Sequence, residues 1–509
     1  MSLSEKEPFN YIQAIEQARV YDIALETPLN LAPKLSARLN NEVLLKREDL
    51  QPVFSFKIRG AYNKIAHLTV EEQSKGVICA SAGNHAQGVA MSASKLKIHA
   101  TIVMPQTTPD IKVQAVESWG AKVVLVGDSY SDAVSHANTL CAEAGMTYIH
   151  PFDDAHVIAG QGTVAEELLR QAKNKDLDAV FIPIGGGGLA SGIAAYLKTM
   201  SPKTKIIGVE PVDSAAMFES IKANKRIALD QVGIFADGVA VKQVGELTFE
   251  MCKKYIDEII LVHTDEICAA IKDIYDETRS VVEPAGALGV AALKQYVKRE
   301  QARGQVLAAI NSGANMNFDR LRHVAERAEL GERREALFAV QIPEEAGSFL
   351  TFCHMLSSYN ITEFNYRMSS RSEAFVYVGT AIKHASESEQ IVEALQTHGY
   401  QVTSLLENET AKLHLRHLVG GKSTDVRHEH LYRFEFPERP RALLDFLTKL
   451  AGRWNISLFH YRNHGAAYGR VLVGMEVPNQ DLNAFEAFLD DVGYQYVDES
   501  KNEALRLFV

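Results

Sequence analysis

Over its first 320 residues the chain switches repeatedly between short, β-rich apolar runs and longer segments with helical spacing. The runs are "VICAS" (77–81), "ATIVMP" (100–105), "KVVLVG" (122–127), "AVFIPIGGGG" (179–188), "KIIGVE" (205–210), "IILV" (259–262) and "VLAAINSG" (306–313). Strands covered on both faces read as continuous apolar stretches, because no face is left to carry polar residues. Their alternation with segments such as "TVAEELLRQAKNK" predicts an α/β fold with a mainly parallel sheet.

After residue 320 the pattern changes. "DRLRHVAERAELGERREAL" is densely charged and is expected to form a solvated connecting helix over 321–335. An internal repeat follows. "IPEEAGSFLTFCHMLSSYNITEFNYR" (342–367) matches "FPERPRALLDFLTKLAGRWNISLFHYR" (436–462), pairing Pro343 with Pro437, Phe352 with Phe446, Asn360 with Asn455 and Arg367 with Arg462. The offset stays at 94 or 95 residues. Each copy reads strand, proline turn, amphipathic helix, strand, strand, helix. Two copies make a duplicated α+β module, 336–408 and 431–503 with a linker over 409–430, and are too few for a solenoid. Neither copy carries a catalytic set, so this half is expected to be regulatory or structural.

Composition narrows the function class. Lys and Arg total 53 against 64 Asp and Glu, a net charge of −11. With no basic tract, nucleic acid is a poor partner. Five scattered cysteines, without a CxxC, fit a reducing compartment. The N-terminal "MSLSEKEPFNYIQAIEQARV" carries acids and no apolar core, unlike a targeting segment, and no apolar run is long enough to span a bilayer. A soluble, cytoplasmic protein is expected.

Three motifs could build one site over residues 1–320. Lys57 lies within "FSFKIRGA" (54–61), behind Phe56; in isolation it reads as a snorkelling surface lysine. "SAGNHAQG" (81–88) follows a strand directly, at the usual ligand position of open α/β sheets, although an ordinary turn with an Asn84 cap explains it equally well. "FIPIGGGGLASGIAAYL" (181–197) places four glycines before a helix, where N–H donors and the helix dipole favour an anion such as phosphate. A rival fits the same loop. Gly185-x-Gly187-x-x-Ala190 matches a dinucleotide pattern, with Glu210 at the end of the next strand as a ribose-binding acid. That reading, a nicotinamide oxidoreductase, leaves Lys57 and the asparagine loop without a task. In "AINSGAN" (309–315), Ser312 ends a strand and offers a single neutral hydroxyl.

Taken together and in order, "SFKIRGA", "SAGNHAQG", "GGGGL" and "SGAN" resemble the pyridoxal-phosphate enzymes of the tryptophan-synthase-β fold type. "KREDLQPVFSFKIRGA" and "SAGNHAQGVA" are similar to the threonine/serine dehydratases. With the duplicated module, which resembles paired ACT-like domains, the resemblance narrows to the biosynthetic threonine ammonia-lyases. It implies two parallel-sheet catalytic subdomains and a carbon–nitrogen lyase making 2-oxobutanoate and ammonia from L-threonine, also accepting L-serine, with a serine-preferring dehydratase as the nearest alternative. It also implies inhibition by isoleucine, opposition by valine and a homotetramer.

The same resemblance assigns residues. Lys57 carries the coenzyme covalently; Gly185, Gly186, Gly187, Gly188 and the Leu189 amide hold its phosphate; Asn84 meets the ring hydroxyl, Phe56 lies against the ring and Ser312 faces the ring nitrogen. Ser81, Ala82, Gly83 and His85 border the substrate. Related racemases have serine where this chain has Ala82, and alanine transfers no proton, so a lyase is expected. Tyr366 and Tyr461, near the ends of equivalent strands in the repeat, are candidate effector contacts. The histidines at 414, 417, 428 and 430 are read as part of a polar linker, with no metal expected, and Glu283 in "VEPAGAL" as a scaffold hydrogen-bonding group.

Overall fold

The computed structural model describes residues 9–173, 175–233, 235–318, 320–368, 373–413, 415–417, 423, 425–437, 441–462 and 468–502. They form two compact units, divided between Gly331 and Glu332.

The first unit holds ten strands: β1 (Leu29–Leu31), β2 (Glu42–Arg47), β3 (Val77–Ala80), β4 (Ala100–Met104), β5 (Lys122–Leu125), β6 (Thr147–Tyr148), β7 (Ala179–Pro183), β8 (Lys205–Pro211), β9 (Glu258–Val262) and β10 (Val306–Asn311). They make a four-stranded parallel sheet, β5-β4-β3-β6, and a six-stranded sheet, β1-β2-β10-β7-β8-β9. The second is parallel except for β1, which pairs antiparallel with β2 at the edge. All seven apolar runs are strands. β1, β2 and β6 escape the apolar-run criterion. β1 is short and half exposed, β6 has two residues, and β2 ends in Lys46 and Arg47, charges that are buried by pairing.

The helix Lys57–Ala66 is buried nearly all round, Ile58 to Asn63 and Ile65 together, so it is an internal helix and not one with a single buried face. It crosses the helix Ala155–Gln171 at a point where neither chain has a side chain to interpose: a Cβ on Gly160 would stand 2.7 Å from the Arg59 carbonyl oxygen. A Cβ on Gly88, in the helix Asn84–Leu96, would stand 3.2 Å from the Lys57 carbonyl carbon. Missing side chains therefore set how deeply Lys57 is seated.

The expected solvated connector is instead a packed helix, Arg320–Gly331, with Val324, Arg327, Ala328 and Leu330 buried. Its charges deceive because Arg327 is itself paired, with Asp265. The surface of this helix is charged, but one stripe of it belongs to the core.

The second unit has eight strands: β11 (Glu335–Pro343), β12 (Asn360–Arg367), β13 (Glu373–Ala381), β14 (Gln401–Ser404), β15 (Glu429–Pro437), β16 (Asn455–Arg462), β17 (Tyr468–Glu476) and β18 (Gln495–Asp498). The two repeats do not make separate sheets. They join through β12 and β16 into one antiparallel sheet, β14-β11-β13-β12-β16-β17-β15-β18. Each copy also ends in a fourth strand, β14 or β18, which the repeat pattern alone does not reveal. Helices Ser348–Met355 and Ala442–Leu450 supply Phe352 and Phe446 to its core. The segment read as a polar linker starts with order: Arg416 is 3% exposed, its guanidinium 3.1 Å from the Glu363 carboxylate. His414 lies outside the described residues.

Candidate active site

The three motifs and the "SGAN" turn converge on one cavity, and three of the four directly follow a strand. Lys57 starts its helix. Just before it, Phe54 takes a φ of +54°, and Ser55 bridges to Gly313. The Phe56 N–H donates to the Ser312 carbonyl at 3.3 Å, and the Ala314 N–H to the Phe54 carbonyl at 2.9 Å. These bonds tie the lysine motif to the end of β10. The helix Asn84–Leu96 follows β3, and the helix Gly188–Met200 follows β7.

The shared cavity has a volume of about 1530 Å³, and Phe56, Lys57, Ser81 to His85, Gly185 to Leu189 and Ser312 all line it. Every site residue expected in this half of the chain therefore meets at one place. Tyr366 and Tyr461 belong to the second unit.

Lys57 Nζ donates to the Pro151 carbonyl at 3.1 Å. Burial pushes its pKa down to about 8, against an opposing pull from Glu283. Desolvation penalises the ammonium form, so this amine surrenders its proton far more readily than a surface lysine. His85 sits 3% exposed on the cavity wall. Its Nε2 is 2.8 Å from the Ile149 carbonyl, an acceptor, so Nε2 carries the proton. Burial, then Lys57, pushes the imidazole down to about 3. It stays neutral and does no acid–base work near neutral pH.

The glycine loop is a cradle in which a Cβ has no room. One on Gly186 would lie 2.2 Å from the Phe152 ring, and one on Gly188 3.0 Å from the Phe152 Cα. Gly187 has a φ of +97° and caps the helix Gly188–Met200, a conformation that costs L-residues with a Cβ. First-turn N–H groups of a helix have no acceptor within it. This loop can therefore hold a phosphate by backbone amides. An amine for an aldehyde, amides for a phosphate, and Asn84 and Ser312 for the polar atoms of a ring together fit pyridoxal phosphate.

Glu210 does not suit the dinucleotide reading. It is fully buried, and its two oxygens accept from the Met217 and Phe218 N–H groups at 2.9 and 2.8 Å. Burial leaves its pKa raised, to about 8. Its carboxyl is spent on the start of a helix and not on a ribose.

Two participants carry no readable motif. Phe152 packs against the glycines from "HPFDD". Thr248 Oγ1 donates to the Gly186 carbonyl at 2.6 Å. Glu283, 4% exposed, accepts from Asn84 Nδ2 at 2.7 Å, as expected of a scaffold group; burial, then Asp237, pushes its carboxyl up to about 7.

In the second unit, Tyr461 lines a cavity of about 40 Å³ with Asn360, Phe436 and Arg441. Tyr366 does not line it and donates its hydroxyl to Glu344. All five cysteines are free. No helix among the described residues is long and apolar enough to cross a membrane.

Comparison with known proteins agrees with this geometry. Residues 20–313 match the family described as pyridoxal-phosphate dependent enzyme. Residues 326–415 and 420–509 match the C-terminal regulatory domain of threonine dehydratase. The chain is 55% identical over 503 residues to the biosynthetic L-threonine dehydratase of Burkholderia multivorans, covering 98% of this chain and 99% of that one. It is 51% identical over 500 residues to that of Pasteurella multocida, covering 98% and 97%. Among solved structures it is similar to the processed form of threonine deaminase isoform 2 from Solanum lycopersicum. The TM-score is 0.62 at 51% identity, covering 63% of this chain and 88% of that one.

Proposed function

The chain belongs to the pyridoxal-phosphate-dependent threonine dehydratases, and from that premise we propose that it converts L-threonine to 2-oxobutanoate and ammonia, the step that commits threonine carbon to isoleucine. L-Serine presents the same β-hydroxyl and is accepted too. One observation carries the reading: a desolvated amine, a side-chain-free anion cradle and a neutral hydroxyl face a single cavity.

Pyridoxal phosphate, when bound, supplies an aldehyde for covalent attachment and an electron sink for the pair left when the Cα proton departs. Gly185 to Gly188 and the Leu189 amide would hold its phosphate, Asn84 its ring oxygen and Phe56 one face of its ring. Lys57 Nζ, displaced by the incoming amino acid, takes the Cα proton as a general base. Ser312, whose Oγ donates to the Ala285 carbonyl at 3.3 Å, would offer a neutral hydroxyl to the ring nitrogen. A carboxylate there would hold a proton on that nitrogen and favour side reactions. Ser81, Gly83 and His85 border the substrate with no titrating group at neutral pH. Ala82 offers no acid to return a proton to Cα on the face opposite Lys57, so L-threonine is not expected to be inverted at Cα. The test is an assay of the purified enzyme with L-threonine. Stoichiometric 2-oxobutanoate and ammonia, without appreciable D-allothreonine, the Cα epimer, is the expected result; D-allothreonine at a comparable rate would overturn the assignment.

The pKa of Lys57 sets a pH dependence. The attacking amine must be neutral, and a neutral fraction grows as pH rises through the pKa. With that value near 8, about a tenth of the amine is neutral at pH 7, roughly 300-fold more than at the ordinary lysine value. Coenzyme uptake by the coenzyme-free protein is therefore expected to accelerate with pH and level off above about 8. Stopped-flow absorbance would read this, and a midpoint above pH 10 would contradict it.

The duplicated unit is proposed to bind branched-chain amino acids, isoleucine inhibiting and valine opposing it. The Tyr461 cavity supports one such site, and its small size means that an occupant must part the helices around it. Replacing Tyr461 by alanine is expected to raise the half-inhibitory isoleucine concentration about tenfold, the size of one lost buried contact, with uninhibited activity unchanged. Tyr366, bonded to Glu344, acts less directly. Free cysteines support a cytoplasmic location, and the family resemblance supports a homotetramer.

A further inference from the structure

Asn84 is held at both ends of its amide. Its Nδ2 donates to Glu283 Oε1 at 2.7 Å, and its Oδ1 accepts from Asn315 Nδ2 at 2.7 Å. Asn315 is held in turn, for the same Nδ2 donates to the Val53 carbonyl at 2.8 Å. Asn84, Glu283 and Asn315 all line the catalytic cavity.

The two ends of an amide have nearly the same shape and differ only in whether they donate or accept. Shape alone therefore does not decide which way Asn84 points. A backbone carbonyl can only accept, so Val53 compels Asn315 to present nitrogen. That nitrogen can only donate, so Asn84 must turn its oxygen toward Asn315 and its nitrogen toward Glu283. Polarity passes from one main-chain carbonyl through two side chains into the site.

Glu283 cannot impose the same order. With its carboxyl pushed up to about 7 by burial and by Asp237, it is ionised in some molecules and protonated in others near neutral pH. The ionised form accepts from Asn84 nitrogen, whereas the protonated form donates equally well to a flipped Asn84 oxygen.

We propose that Asn315 is a positioning residue that fixes the polarity of the Asn84 amide, so that a donor and never an acceptor faces the coenzyme's ring oxygen. This rests on the coenzyme assignment made above. One hydrogen of Asn84 Nδ2 is engaged by Glu283 and the second is left for the ring oxygen.

The test compares wild type, Asn315→Ala, Asn315→Leu, Asn84→Ala and the double variant Asn84→Ala/Asn315→Ala. Coenzyme retention is read by equilibrium dialysis, the substrate-free visible spectrum by absorbance, and the melting point on coenzyme-free protein. Asn315→Ala and Asn315→Leu are each expected to weaken retention about tenfold and to shift the visible band, as for one misdirected buried hydrogen bond. Asn84→Ala is expected to do at least as much. The double variant should be no weaker than Asn84→Ala alone, because Asn315 acts through Asn84. Losses that simply multiply, or Asn315 variants with unchanged retention and spectrum, overturn the inference. Should the alanine variant melt too early to be loaded, the leucine variant, close in volume, carries the comparison. A wild-type chain that takes up no pyridoxal phosphate overturns the coenzyme assignment and this inference with it. Uptake by wild type with independent variants overturns this inference alone.

Discussion

Replacing Lys57 by alanine is expected to lower kcat by about 10⁴-fold or more and to leave the purified protein colourless. The size follows from the lack of a substitute. Two other lysines line the cavity, Lys112 and Lys242, and both are engaged. Lys112 Nζ is 3.2 Å from Asp237, and Lys242 Nζ donates to the Asp230 carbonyl at 3.0 Å. Lys112 keeps 27% of its side chain exposed and Lys242 is exposed, whereas burial pushes the Lys57 pKa down to about 8. Lys57→Arg should be equally inactive, because a guanidinium keeps its charge and cannot be a base near neutrality. Ketoacid release from L-threonine and the visible spectrum are the two measurements. An alanine variant that kept both its colour and its rate would refute the role given to this amine.

Arg59→Leu is expected to destabilise the first unit by about 3–5 kcal/mol, the cost of leaving a buried charge unpaired. Arg59 lies two residues beyond Lys57, and its guanidinium reaches Glu48 at 2.8 Å and Glu167 at 2.6 Å. Lys46 meets Glu167 at 2.5 Å. All four side chains are fully buried, two cations against two anions. Removing one arginine leaves two carboxylates with a single lysine. The double variant Arg59→Leu/Glu48→Leu restores the balance as one ion pair, and replacing a whole buried pair is often nearly neutral. Most of the loss should therefore return. Urea unfolding of the single and double variants reads this; a cost under about 1 kcal/mol for Arg59→Leu would mean that water reaches the network.

The site motifs were legible as an ordered set, because several short segments had to agree before any one could be read. Four successive glycines, an asparagine after a strand and a lysine beside an aromatic residue are each ambiguous alone and become specific only together and in order. What the chain hid was supplied from a distance. Phe152 closes the glycine cradle from a segment with no motif, and Asn315 orients a residue 231 positions away. The charged stretch 319–337 misled for a related reason. A helix can be charged over most of its surface and still bury one stripe, and nothing local says that Arg327 will find Asp265. The linker misled in the same way through Arg416 and Glu363.

By itself, the sequence determined an α/β first half and a duplicated second half, since periodicity and repetition are read from neighbours along the chain; the groups proposed to react came from the resemblance of its motifs to a known family. Only the tertiary structure decided how the repeats share one sheet, which cavity Tyr461 lines, how far the Lys57 amine is desolvated and which way the Asn84 amide points. Those four depend on packing and electrostatics between groups that meet only after the chain has closed on itself.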